Sequence, residues 1–147
     1  MTYIDDRGGT IQTKALEIAE FTVSGNPTTN QYFTLTLEDD TFGSSPSVTT
    51  DTITLSAGHY KCSCFFAVSK PGNGAKNYKY QLELDGSLTG FVGQTKSYLN
   101  TNIDSSDAVF SILSGTKPLK LKLLAIEVSA PTILTGECKL WIWRSDL

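Results

Sequence analysis

The side chains able to do chemistry are few and far apart in this chain of 147 residues. Histidine occurs once, as His59. A general base needs a nucleophile in reach and a group to orient it. No Ser or Cys motif of the nucleophile-elbow kind stands beside His59, so it reads as a turn or edge residue. Cys62, Cys64 and Cys138 are the thiols. Zinc would need ligands beyond a Cys-x-Cys pair, and His59 is the only imidazole to offer. Cys62 and Cys64 lie two apart on one strand face, which disfavours a bond between them. A bridge from either to Cys138 stays geometrically open, but an odd count favours buried free thiols. The acidic pairs Asp39-Asp40 and Asp104/Asp107 carry calcium-type ligands without the spacing of a calcium loop, and solvated turn carboxylates are the plainer reading. Lys70-Pro-Gly-Asn-Gly-Ala-Lys76 has glycines and lysines but neither the spacing nor the Ser/Thr ending of a phosphate loop. These residues imply no enzyme, no cofactor and no metal.

The net charge is −3, which carries no electrostatic footprint for nucleic acid. Lys117, Lys120 and Lys122 alternate with apolar residues and read as the solvent face of one strand. No apolar run approaches the roughly 18 residues that span a bilayer, so no membrane partner is expected. The first residues, Met-Thr-Tyr-Ile-Asp-Asp-Arg, lack the apolar stretch of a secretory signal, and the chain is expected to be made in a cytoplasm.

The elements that must position these side chains read as strands. Ile53 and Leu55 alternate with threonines. Ala57-Gly58 then reads as a tight turn, and Tyr60, Cys62, Cys64, Phe66 and Val68 fall on one face at period two. Phe33, Leu35 and Leu37 make an earlier strand ending at a Glu38-Asp39-Asp40 turn. Tyr78, Tyr80, Leu82 and Leu84 make another, closed by a primed hairpin turn at Asp85-Gly86. Phe91 to Leu99 is a weaker strand and Asn100 to Asp107 reads as a polar loop. Ala108, Phe110 and Ile112 form the inward set of the next strand, and Ser114 to Pro118 a turn. Leu119, Leu121, Leu123 and Ala125 alternate cleanly, Ser129 to Pro131 breaks the run, and Thr135-Gly136 marks one more turn. Ile11 to Glu20 reads as an extended arm entering the first strand, with a short helix as the alternative. Strands at short, even spacing imply an all-β, two-sheet antiparallel sandwich. The division is an N-terminal arm over residues 1–14 and one domain over 15–147.

The last strand is apolar on both faces. Cys138, Leu140 and Ile142 alternate with Trp141 and Trp143. Such a strand must be covered on both sides. In a two-layer domain the second cover comes from another chain or from a loop of the same one. The arm residues Thr2, Tyr3, Ile4, Thr10, Ile11 and Gln12 have strand character around a Gly8-Gly9 break, suited to pairing with a partner; a disordered terminus is the alternative.

Two local patterns, Ala57-Gly58-His59-Tyr60 and Thr135-Gly136-Glu137-Cys138-Lys139-Leu140-Trp141-Ile142, and the strand order from Phe21 to Arg144 resemble the jelly roll of tumour necrosis factor and the heads of complement-type collagens. That resemblance implies a homotrimer with its terminal strand near the three-fold axis. Tyr60, Trp141 and Trp143 would lie in the interface. No Gly-X-Y segment precedes the domain, which directs the expected role to the form this fold takes in tailed bacteriophages. The reading is a virion structural protein, a trimeric capsid decoration (cement) protein, made in the host cytoplasm. Its partner would be the major capsid protein, reached through an arm carrying Thr2, Tyr3, Ile4, Arg7 and Ile11. The alternative is a receptor- or glycan-binding tip domain of a tail fibre or baseplate, with loop aromatics such as Phe42 and Tyr98 facing sugars.

Overall fold

A computed structural model describes residues 2–4, 10–12, 16–69, 76–97, 101–126, 132–133 and 137–146. Every element among them is a strand: β1 (Thr2–Ile4), β2 (Thr10–Gln12), β3 (Glu17–Ser24), β4 (Thr34–Asp40), β5 (Ser47–Thr49), β6 (Thr52–Ser69), β7 (Lys76–Leu84), β8 (Ser87–Ser97), β9 (Thr101–Ile126), β10 (Thr132–Ile133) and β11 (Lys139–Ser145). β1 and β2 pair with each other, and the remaining nine strands form one antiparallel network.

That network is folded into two layers by β9. It pairs with β6 from Thr101 opposite Ser69 to Leu119 opposite Ile53. Gly115, at φ 70°, lies where that ladder shifts register between Ile112 and Thr116, with a backbone that glycine adopts without strain. The second half of β9 pairs with β7, from Leu119 opposite Leu84 to Ile126 opposite Tyr78. One layer therefore reads β4–β3–β11–β6–β9, and the other reads β9–β7–β8. The residues leading into β4 close the second layer, with Tyr32 bridging Lys122 and the Phe33 amide donating to the Leu121 carbonyl at 3.0 Å.

The core is what these layers enclose. Phe66 on β6 shares no ladder with β7, yet its ring stacks on Tyr80 at 4.3 Å and meets Phe33 edge-on at 4.9 Å. Tyr60, Cys62, Cys64 and Phe66 are buried, as are Leu119, Leu121 and Leu123 from the facing layer. Each buried apolar side chain of this size contributes about 1.5–3 kcal/mol. The period-two alternations thus point inward as their spacing predicts.

Four expectations need correction, the first being the Ser114 to Pro118 turn: these residues lie within β9, where the shift in register at Gly115 interrupts the alternation without ending the strand. The 52–68 segment is one continuous strand and not a hairpin with a turn at Ala57-Gly58. Gly58 has no positive φ; it is there because a Cβ would come within 2.9 Å of Arg144 Nε. The Glu38-Asp39-Asp40 turn is the end of β4. Its ladder skips Glu38, running from Phe21↔Leu37 to Glu20↔Asp39, so one extra residue is absorbed as a bulge. The 100–107 loop is strand from Thr101 onward: backbone pairing with β6 needs no apolar side chains. Asp85-Gly86 is the predicted primed turn, with φ values of 51° and 80°. Residues 129–131 and 135–136 lie outside the described residues, as does Lys70 to Ala75.

Candidate self-association face

β11 runs between β3 and β6. Leu140 and Ile142 are fully buried, so strand alternation sends Lys139, Trp141 and Trp143 to the opposite face. The registers line up one row across the layer: Ile18 on β3, Trp143 on β11, Lys61 on β6 and Val109 on β9. The next row is Glu20, Trp141, Ser63 and Asp107. Among the described residues, no strand of the β9–β7–β8 layer packs on that face.

The rows differ in chemistry. In the first, Lys61 Nζ stands 5.4 Å from the Trp143 ring centroid, so the ammonium is held against the indole while its stem covers apolar surface. In the second, the Glu20 carboxylate accepts from Trp141 Nε1 at 3.4 Å and pairs with Lys139 at 2.9 Å. The Lys139 hydrogen bond holds the Glu20 carboxyl below its ordinary range. A hollow of about 380 Å³ lies between β3, the end of β4 and β11, with Ile18, Trp141 and Trp143 in its wall.

At the far edge of the same layer, apolar side chains project. Val109 is 79% exposed and Leu113 77%. Phe91, on the neighbouring edge strand β8, is 78% exposed, and with Val109 it lines a cleft of about 300 Å³. Gly90 lets β8 come this close, since a Cβ there would meet the Asp107 carbonyl at 2.3 Å. The face therefore presents a hollow at one edge and projecting side chains at the other.

Trp141 and Trp143 lie on this face as the sequence reading places them. Tyr60 does not: it is 2% exposed, stacks on Phe110 at 5.4 Å, and its hydroxyl donates to the Ser56 carbonyl at 2.8 Å. It supports the layer from its core side. Ile18, Val109, Leu113 and Phe91 were not singled out from sequence. The run Ala108-Val109-Phe110 carried the signal, because it is apolar on both parities just as the last strand is. Of the arm residues, Thr2, Tyr3 and Ile4 form β1 and Ile11 is in β2, with Tyr3 opposite Ile11. Arg7 lies outside the described residues.

The remaining candidate residues settle into structural roles. His59 Nδ1 is 2.6 Å from Ser111 Oγ, both exposed, and no hydrogen bond between His59 and a carboxylate is present among the described residues. Cys62, Cys64 and Cys138 are buried thiols outside any disulfide. Burial pushes the Cys62 and Cys64 thiols up, the opposite of what a nucleophile needs. Lys117, Lys120 and Lys122 pair with Asp85, Asp51 and Glu83. Asp40 accepts from the Phe42 amide and the Ser45 hydroxyl, shaping a loop. No group of three metal-ligating side chains occurs among the described residues.

Solved structures share this arrangement. Murine APRIL in crystals at pH 8.5 and at pH 5.0 superposes with TM-scores of 0.65 and 0.66, covering 89% of this chain and 100% of that one at 13% identity. The fold is a tumour-necrosis-factor-like jelly roll. The globular domain of zebrafish complement 1qA is also similar, at 16% identity over 88% of this chain and 97% of that one, with a TM-score of 0.47. At such identities the likeness is one of fold. No protein-family model and no curated protein matches the chain in sequence. The all-β jelly roll is the architecture that the alternation of residues and the two motifs predict. Among the described residues no helix is long and apolar enough to cross a membrane.

Proposed function

We propose that this protein is a non-catalytic homotrimer that decorates a bacteriophage capsid. The observation that carries the trimer is the outward row Ile18–Trp143–Lys61–Val109, three apolar side chains and one lysine stem on strands whose other face is already the core. The hollow at Trp141 and Trp143 and the projecting Phe91, Val109 and Leu113 lie at different edges of the molecule. Complementary patches at two places make a head-to-tail contact, which closes into a ring when the rotation allows. A specific contact of this kind covers about 1,000 Å² or more.

Capsid decoration adds a second surface, the arm. β1 and β2 pair over three residues each, and a two-stranded sheet of that size is marginal by itself. Docking on a shell formed by the major capsid protein supplies the missing contacts and places the chain in the virion. A glycan-binding tip domain is the second reading, favoured by Phe42 lining a hydroxyl-rich cleft.

Two experiments test this. Trp143→Glu places a carboxylate in the row and yields a folded monomer in light scattering; a trimer of unchanged mass refutes the interface. Deleting residues 1–14 leaves a folded trimer that no longer binds expanded capsids of the cognate phage; undiminished binding refutes the arm.

A further inference from the structure

A cleft of about 250 Å³ opens at the end of the sandwich where β3 begins. Phe42 contributes apolar surface to it, and the nearly buried Leu55 and Tyr60 lie at its base. Ser44, Ser47, Thr54 and Thr116 line it as well, and none of the described lining residues is charged. All of them belong to one protomer and none lies in the rows of the association face.

The loop that forms one wall is pinned at three points. The Phe42 amide donates to Asp40 Oδ1 at 3.1 Å, and the Ser45 hydroxyl donates to the same carboxylate at 3.0 Å. The Gly43 amide donates to Glu17 Oε1 at 3.1 Å. On the opposite wall, the Tyr60 hydroxyl donates to the Ser56 carbonyl and its oxygen is held by the Arg144 guanidinium, so this side is fixed as well. A wall fixed in advance loses little entropy when a ligand arrives.

From these features we infer that the cleft binds an uncharged, polyhydroxylated ring, the size of a single pyranose. The lack of charge in the lining decides against phosphates, carboxylates and amines, which would be desolvated without a counter-charge. Serine and threonine hydroxyls both donate and accept, matching the alternating needs of sugar hydroxyls. The half-buried Phe42 ring offers a flat apolar face to the C–H side of the ring. The volume lies below the range of about 300–1,000 Å³ usual for larger ligands, which limits the occupant to one ring.

The test is an NMR titration of the intact protein with methyl α-glucopyranoside, methyl α-galactopyranoside and N-acetylglucosamine, with glucuronate and glucosamine as charged comparisons. At least one neutral sugar gives saturable shifts, with a Kd in the millimolar range, at the amides of Ser44, Ser47, Ser56 and Thr116. The charged sugars bind about 10-fold more weakly or not at all. Phe42→Leu weakens binding about 10-fold by removing the flat ring. Thr54→Val, which removes one hydroxyl at nearly constant shape, weakens it too and keeps the test valid if Phe42→Leu unfolds. No saturable shift for any neutral sugar up to about 100 mM overturns the inference. So do charged sugars binding as tightly, and neutral binding that neither substitution alters. The cleft is complete in one protomer, so the outcome is independent of whether the protein is a trimer.

Discussion

Replacing Phe66 with alanine probes the packing of the two layers most sharply. The ring is fully buried and touches Phe33 at 4.9 Å, Tyr78 at 5.7 Å and Tyr80 at 4.3 Å. Deleting a buried Phe side chain costs about 3–5 kcal/mol through lost transfer energy and the cavity left behind. The aromatic contacts add about 0.5–1.5 kcal/mol each beyond area, so the upper half of that range applies, about 4–5 kcal/mol. Phe66→Leu keeps most of the volume and loses only the ring contacts, for about 1–1.5 kcal/mol. Urea unfolding followed by tryptophan fluorescence measures both. With a slope of about 2 kcal/mol per molar urea, the alanine variant shifts the midpoint by about 2 M. The comparison is made at one protein concentration, because unfolding of an oligomer depends on it. A cost under about 1 kcal/mol for Phe66→Ala would mean that β6 presents its other face to the core, a slip of one residue.

Gly93→Ala should destabilise by about 1–3 kcal/mol, since its Cβ would stand 2.3 Å from the Tyr80 ring; a neutral thermal melt would contradict the β7–β8 register. Burial alone would raise Glu17, but the Arg144 guanidinium at 2.6 Å and the Gly43 amide outweigh it and hold the carboxyl below its ordinary range. A lowered folded-state value contributes stability above the unfolded-state value, and that contribution is lost as the pH falls through the folded one. Glu17→Gln should therefore lower stability at neutral pH and flatten its fall in acid; an unchanged acid unfolding curve would refute the pairing. The buried thiols should resist an aromatic disulfide reagent in the native protein and react fully once unfolded; rapid native labelling would contradict their burial.

The alternating strands were legible because one of their faces is apolar and the other polar. Tyr60 to Phe66 and Leu119 to Leu123 show this, and so does the Asp85-Gly86 turn, whose backbone demands such residues. The segment 101–107 was not legible, because its pairing with β6 is carried by backbone groups that leave no hydrophobic period. Ala57-Gly58 misled for a different reason. Glycine serves both turns and close approaches, and only the proximity of Arg144 distinguishes them. The association face was half legible. The two tryptophans announced it, but their companions Ile18 and Val109 are set beside them by ladder register alone. Glu83 shows the same limit in the other layer. It is buried because Tyr32 donates to it at 2.9 Å and Lys122 pairs with it at 3.3 Å, partners 51 and 39 residues away.

The association face requires another copy of the chain to cover it. Multi-angle light scattering on the purified full-length protein measures that directly. The account predicts one species of three times the 16.0 kDa chain mass, stable on dilution. A stable species of 16.0 kDa would leave the Trp143 row facing water and contradict it.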